Sequence, residues 1–158
     1  MKEPIIEIEK AEKTDLDDIL VFVNKVNKEW YSKIIPAEHW YEPFLTKQQI
    51  RKMSEIMDFF IHKQRDSIIA VGSFGTIDEE SAWIPLMYMR SDSQGKGIGS
   101  SLMYHLEEIA RQGGFRRIQL ETDSKAEWAL NFYRKHGYSI FKKDENPWGY
   151  HVWLEKLL

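Results

Sequence analysis

Tyr88-Met89-Arg90-Ser91-Asp92-Ser93-Gln94-Gly95-Lys96-Gly97-Ile98-Gly99-Ser100-Ser101-Leu102 joins two segments of different periodicity. Upstream, Ala82-Trp83-Ile84-Pro85-Leu86-Met87 is an apolar run that predicts a buried strand. Downstream, Ile98, Leu102, Leu106, Ile109 and Ala110 recur at helical spacing and predict an amphipathic helix. Gly95, Gly97 and Gly99 therefore lie where a strand turns into a helix. A glycine there permits positive φ and close approach of another molecule to the backbone. The first-turn N–H groups of a helix have no internal partner, and the helix dipole favours negative charge beside them. The stretch reads as an anion cradle suited to phosphate, with Lys96 and Arg90 adding positive charge. The plainer alternative is a flexible Gly-rich turn.

Two familiar phosphate motifs are excluded. A Walker loop needs Gly where Arg90 stands and Ser or Thr where Gly97 stands; a dinucleotide fingerprint begun at Gly97 needs Gly at Leu102. What remains is Gln-x-x-Gly-x-Gly, carried by Gln94, Gly97 and Gly99. This resembles the coenzyme A pyrophosphate loop of the GNAT superfamily of acyl-CoA-dependent N-acetyltransferases.

At 158 residues the chain reads as one domain, 1–158, able to bury one substantial core. With 42% hydrophobic and 30% charged residues it is globular rather than disordered. A net charge of -3 argues against a nucleic-acid partner, which calls for a basic excess. Without cysteine, no disulfide framework, thiol nucleophile, thiolate ligand or acyl-cysteine intermediate is available. Met1-Lys2-Glu3-Pro4 opens no long apolar run, and no segment approaches the ~20 apolar residues of a membrane span. The expectation is a cytoplasmic protein with no membrane partner.

The remaining pattern places elements around the glycine stretch. Ile5, Ile6 and Ile8 predict a first strand, and Thr14 with Asp17 predicts a cap before a helix through Val26. Trp30 to Leu45 is aromatic and broken by Pro36 and Pro43, which predicts an ordered loop. Thr46 and Gln49 form a capping box ahead of Ile50, Met53 and Met57. Phe59–His62 and Ser67–Ile77 predict strands about a turn at 64–66, with bulges expected at Gly72 and Gly75. A turn at Asp78-Glu79-Glu80 leads into the apolar strand, and Gly113-Gly114 ends the motif helix. Arg117–Thr122 predicts a strand, Ser124–Lys135 a helix, and Tyr138–Lys142 and Tyr150–Glu155 two closing strands about a Pro147-Trp148-Gly149 turn. The order β-α-α-β-β-β-α-β-α-β-β matches the GNAT order. The resemblance implies an α/β (α+β) fold with a mixed, splayed sheet of about six to seven strands and about four helices.

A second segment carries the resemblance. Ala129-Leu130-Asn131-Phe132-Tyr133-Arg134-Lys135-His136-Gly137-Tyr138 is similar to the GNAT pattern Ala-x-x-x-Tyr-x-x-x-Gly-Phe/Tyr. In that family the tyrosine hydroxyl commonly protonates the departing coenzyme thiolate, and a phenol near pKa 10 stays protonated at neutral pH for that task. The alternative reading of Tyr133 is a core aromatic. One departure stands out: many members carry Asn seven residues before this tyrosine to bond the pantetheine arm, and here that place is Ala126. The contact is lost or supplied by Ser124 or Lys125, and Trp128 either lines the same groove or packs the core.

The resemblance implies direct transfer of an acetyl group from acetyl-CoA to a primary amine of a small molecule or peptide, without metal. A GNAT-like sensor that holds coenzyme A or an acyl-CoA without turnover is the alternative, and a homodimer is left open. The implied cofactor contacts are Met87, Tyr88, Met89, Gln94, Gly95, Lys96, Gly97, Ile98, Gly99, Ser100 and Tyr133. Backbone around Met87 to Met89 is expected to bond the carbonyl oxygen. Deprotonating a lysine-like amine at neutral pH costs about 4–5 kcal/mol, so a base or a relaying water is expected. Glu79 and Glu80 are the first candidates beside the catalytic Tyr133, with Glu38, His39 and His151 behind them. Trp30, Tyr31 and Trp83 are the expected substrate contacts, with Trp148 and Tyr150 as further aromatic candidates.

Overall fold

The computed structural model describes residues 6–158. Two short turns of 3-10 helix aside, the chain first runs through β1 (Glu9–Lys10), α1 (Leu16–Tyr31) and α2 (Lys47–Ile56). A meander follows: β2 (Asp58–Gln64), β3 (Ser67–Thr76), β4 (Ser81–Ile84) and β5 (Met87–Met89). The chain closes with α3 (Ile98–Gln112), β6 (Arg117–Asp123), α4 (Glu127–Lys135), β7 (Ser139–Asn146) and β8 (Gly149–Leu157). The strands form one eight-stranded mixed sheet ordered β1-β2-β3-β4-β6-β8-β7, with β5 paired to β3. β4 and β6 are parallel, joined by α3, and the other pairs are antiparallel. The mixed α/β class and the four helices agree with the sequence reading.

Local signals acted where they stood. Both arms of the capping box form at α2: Gln49 N–H donates to Thr46 Oγ1 at 3.1 Å, and Thr46 N–H to Gln49 Oε1 at 2.8 Å. Arg65 and Asp66, both with positive φ, turn β2 into β3. Gly114 has φ +80° past the end of α3, and Phe115 N–H reaches back to Ala110 C=O at 3.0 Å.

Other expectations need correction. Ile5 lies outside the described residues; Ile6 and Ile8 pack against the core without strand pairing, and the short first strand is Glu9–Lys10. Asp15 stands before α1 without a side-chain cap bond to it; its carboxylate instead accepts Glu12 N–H at 2.8 Å within the preceding 3-10 turn, and the cap expected of Thr14 and Asp17 does not form. α1 continues to Tyr31, so Trp30 and Tyr31 ride on its last turn. The β2–β3 irregularity falls between His62 and Lys63 rather than at Gly72 or Gly75.

The apolar strand expected over 82–87 divides into β4 and β5. Pro85 has no N–H to give the ladder. Leu86 N–H donates to the Ser73 side-chain oxygen, and Leu86 C=O accepts Ser73 N–H, each at 2.9 Å. The chain thereby stays with β3 while leaving β6, whose last partner on this side is Ile84. Among the described residues β5 is bonded only to β3, and the end of β6 only to β8. The sheet opens between them.

α1 and α2 cover one face, where Ile19, Val23, Ile50, Ile61 and Val71 form one buried cluster with Leu86. α3 and α4 cover the other, where Leu102, Met103, Leu106, Ile118, Leu120 and Leu130 form the larger cluster. Side chains alternate along a strand, so Leu86 and Tyr88 face the α1–α2 side while Met87 and Met89 face α3 and α4.

Candidate active site

A cleft of about 410 Å³ fills the opening beside β5. Its walls come from both faces of the sheet: Val26, Trp30 and Tyr31 from α1, Gly97, Gly99 and Ser100 from the start of α3, and Trp128, Phe132, Tyr133 and His136 from α4. The cavity therefore passes through the layer of strands.

β5 supplies the edge along that passage. Its bonds to β3 run through Leu86 C=O to Ser73 N–H and Arg90 N–H to Ile69 C=O, with Tyr88 opposite Val71. Because alternate residues of a strand bond to opposite sides, the amides and carbonyls of Met87 and Met89 point away from β3 toward the cleft.

At one end stands the glycine turn. Gly95 and Gly97 both have φ +79°, a left-handed conformation that a residue with Cβ adopts only at a cost, and Gly97 is the N-cap of α3. Among the described residues nothing lies within 4 Å of a Cβ position at Gly95, and only Ile6 Cδ1 at 3.9 Å approaches one at Gly97. Gly99 is different. A Cβ there would stand 2.6 Å from Met89 Cε and 3.0 Å from Phe132 Cε2, so this glycine makes room for neighbouring side chains.

Three phenols, those of Tyr31, Tyr88 and Tyr133, line the passage. Tyr133 and Tyr88 are held above the ordinary tyrosine value by burial, each raised further by the nearby Tyr31 hydroxyl. Asn27 Nδ2 donates to Tyr88 Oη at 3.0 Å, and Tyr31 Oη lies 3.1 Å from Thr122 Oγ1. Tyr31 is likewise raised by burial. All three hydroxyls are protonated donors at neutral pH. Toward the α1 side Trp30 and Trp128 approach to 5.0 Å between ring centroids, and Tyr31 meets Trp128 edge-on at 5.4 Å.

Of the residues the sequence singled out, the cleft gathers Met87, Tyr88, Met89, Gln94, Gly95, Gly97, Gly99, Ser100 and Tyr133, together with Trp30 and Tyr31. Lys96 is exposed outside the lining, and the Ile98 side chain is buried in the core. Trp83 packs on the α1–α2 side over Gly75, away from the cleft, with its indole N–H unpaired among the described residues. Glu79 and Glu80 are not brought to the site. They occupy the turn before β4, at the end remote from β5, where Glu80 is ion-paired with Arg116 and Arg117 at 3.8 and 3.7 Å. His151 bonds Glu121 Oε2 at 2.6 Å, His39 stacks near Trp148 at 5.4 Å, and Glu38 is exposed; none lines the cleft. Nor do Trp148 and Tyr150: Trp148 Nε1 donates to Asp123 Oδ2 instead.

At the departure from the family pattern, Ala126 is fully buried as the N-cap of α4. Ser124 Oγ accepts Tyr150 N–H at 2.9 Å, so it is already engaged, and Lys125 is exposed. Trp128 lines the cleft instead. The sequence reading gave no role to Phe132, Lys135 or His136, which also line it. The signal was present: Ala129, Phe132, Tyr133 and His136 repeat at three and four residues and share a helix face.

The profile of the acetyltransferase (GNAT) family matches residues 21–138, a span that holds the glycine turn, β5 and Tyr133. This chain belongs to the GNAT acetyltransferase family. An uncharacterized protein, YdhI, of Bacillus subtilis is 30% identical over 105 residues, 66% of this chain and 64% of that protein's length, slightly under two thirds of it. An IAA acetyltransferase of Azospirillum brasilense is 24% identical over 141 residues, covering 88% of this chain and 86% of that one. The crystal structure of the PaiA N-acetyltransferase of Thermoplasma acidophilum in complex with coenzyme A superposes with a TM-score of 0.81 at 20% identity, over 98% of this chain and all of that one. Among the described residues no helix is long and apolar enough to cross a membrane, and no group of three His, Cys, Asp or Glu side chains could hold a metal ion.

Proposed function

We propose that this GNAT acetyltransferase binds acetyl-CoA in the cleft beside β5 and transfers the acetyl group directly to a primary amine of a small molecule or peptide. The observation that carries this reading is the continuity of the cleft, from free amides at the start of α3, along an unpaired strand edge, to three phenols and an aromatic wall. Each part suits one portion of the donor. The positive-φ turn at Gly95–Gly97 and the first turn of α3 would hold the diphosphate. The outward amides and carbonyls of Met87 and Met89 would hold the pantetheine arm, and a β5 amide would bond the thioester oxygen as it gains charge. The aromatic wall of Trp30, Tyr31 and Trp128 would receive the acceptor.

In the reaction the amine nitrogen forms the new C–N bond, the C–S bond breaks, and sulfur leaves with the electron pair. Tyr133, held protonated by burial, gives that sulfur its proton and is reprotonated from solvent. Among the described residues lining the cleft there is no carboxylate. Glu79 and Glu80 lie outside the cleft, so the amine proton does not pass directly to either and a relaying water carries it away.

The same absence favours a second reading, a sensor that holds an acyl-CoA without turnover. Thiol release from acetyl-CoA across a panel of small-molecule and peptide amines separates the two. Release with an acetylated amine supports the enzyme; tight binding with no release for any amine supports the sensor; no binding overturns both.

A further inference from the structure

His136 ends α4 as its C-cap, is only 7% exposed, and has no part in the chemistry above. Its ring packs against Phe132 at 4.6 Å and Tyr104 at 5.4 Å between centroids. Its Nε2 lies 3.1 Å from Ser100 Oγ, and Ser100 belongs to the first turn of α3, the turn proposed to hold the diphosphate. Both residues line the cleft beside Gly97 and Gly99.

The hydrogen bond between them has two directions with opposite consequences for an anion. If imidazole Nε2 is an acceptor, the Ser100 proton is committed to it, and an incoming oxyanion meets lone pairs. In the imidazolium both ring nitrogens carry protons, so Nε2 donates to Ser100 Oγ and frees the hydroxyl proton for the anion. Resting on the coenzyme reading of the cleft, we propose that His136 is a diphosphate-binding residue that takes up a proton as the diphosphate docks, turning the Ser100 hydroxyl toward it.

The surroundings make the uptake conditional on the ligand. Burial is the largest influence and holds His136 below the ordinary histidine value, with Lys156 of β8 and Lys135 of α4 acting the same way; Glu107 of α3 opposes them. Lys156 is itself paired with the fully buried Glu107 at 2.9 Å, and Tyr104 meets the imidazole in a T-shaped ring contact. The C-terminal end of α4 also favours a cation at this position. The unliganded protein thus holds a neutral imidazole at neutral pH, and an adjacent diphosphate favours its charged form.

Calorimetry tests this in the full chain. Dephospho-coenzyme A is titrated at neutral pH in buffers of different ionisation enthalpy, since its diphosphate lacks the 3′-monoester that itself titrates near pH 6. Expected is a binding enthalpy that depends on the buffer with the sign of proton uptake, and an apparent Kd that tightens from about pH 8 to about pH 6. In His136→Gln, which keeps a donor for Ser100 but cannot titrate in this range, both dependences disappear. Equal enthalpies in all buffers for the wild type, or uptake undiminished in His136→Gln, overturn the proposal while leaving the coenzyme site standing. Failure of both coenzyme A and its dephospho form to bind overturns the coenzyme reading, and this inference with it.

Discussion

Gly99 lies directly under the Met89 thioether: a Cβ at position 99 would be 2.6 Å from Met89 Cε and 2.7 Å from Sδ. The motif glycine inside the first turn of α3 thus serves the protein's own packing, whereas Gly95 and Gly97 serve backbone conformation. Gly99→Ala is expected to fold, since a thioether end can swing aside, but the displaced Met89 enters the cleft. Coenzyme A affinity should fall at least tenfold with overpacking costs of about 1–3 kcal/mol. Gly99→Ala with Met89→Ala should regain most of the affinity, as read by titration calorimetry.

Gly97→Glu combines a side chain at φ +79° with negative charge at the cradle. Coenzyme A binding should be abolished while far-ultraviolet circular dichroism stays native. Retained binding would remove the turn from the site.

Tyr133→Phe keeps the ring and deletes the proton. Turnover should drop about 10²-fold or more while coenzyme A affinity changes little. Glu80→Gln, by contrast, loosens pairs with Arg116 and Arg117 outside the cleft and should leave turnover unchanged. Both are checked by thiol release beside direct binding.

The fully buried Glu107 carboxylate is held by Lys156 Nζ at 2.9 Å and by the Tyr138 hydroxyl, which donates to Oε2 at 3.1 Å. Lys156→Met strands a charge in the core and should cost about 3–5 kcal/mol. Adding Glu107→Leu should recover much of that loss, measured by urea denaturation.

Asp15 accepts Glu12 N–H and pairs with Lys63 at 3.0 Å, and these, the backbone bond first, hold its carboxyl below the ordinary 3.8. A lowered folded value stabilises wherever the unfolded group is ionised. The stability lost in Asp15→Asn should therefore be full above about pH 5 and shrink as pH falls through the carboxylate range. Urea midpoints of the two proteins across that range provide the check.

Short-range chemistry determined much of this protein from the sequence alone. The Thr46–Gln49 box, the Gly113-Gly114 stop and the strand-to-helix glycine turn each act within a few residues, so their outcome was written locally. So was the face joining Ala129 to Tyr133. Only the tertiary structure decided where the sheet opens: Pro85 breaks the ladder, but the Ser73 hydroxyl on β3 takes up Leu86 and carries the chain away from β6. Tertiary pairing also drew Glu80 to Arg116 and Arg117, extended α1 through Trp30 and Tyr31, and set His136 against Ser100 across 36 positions. Such partners meet by closure of long loops, whose pairing no local pattern encodes.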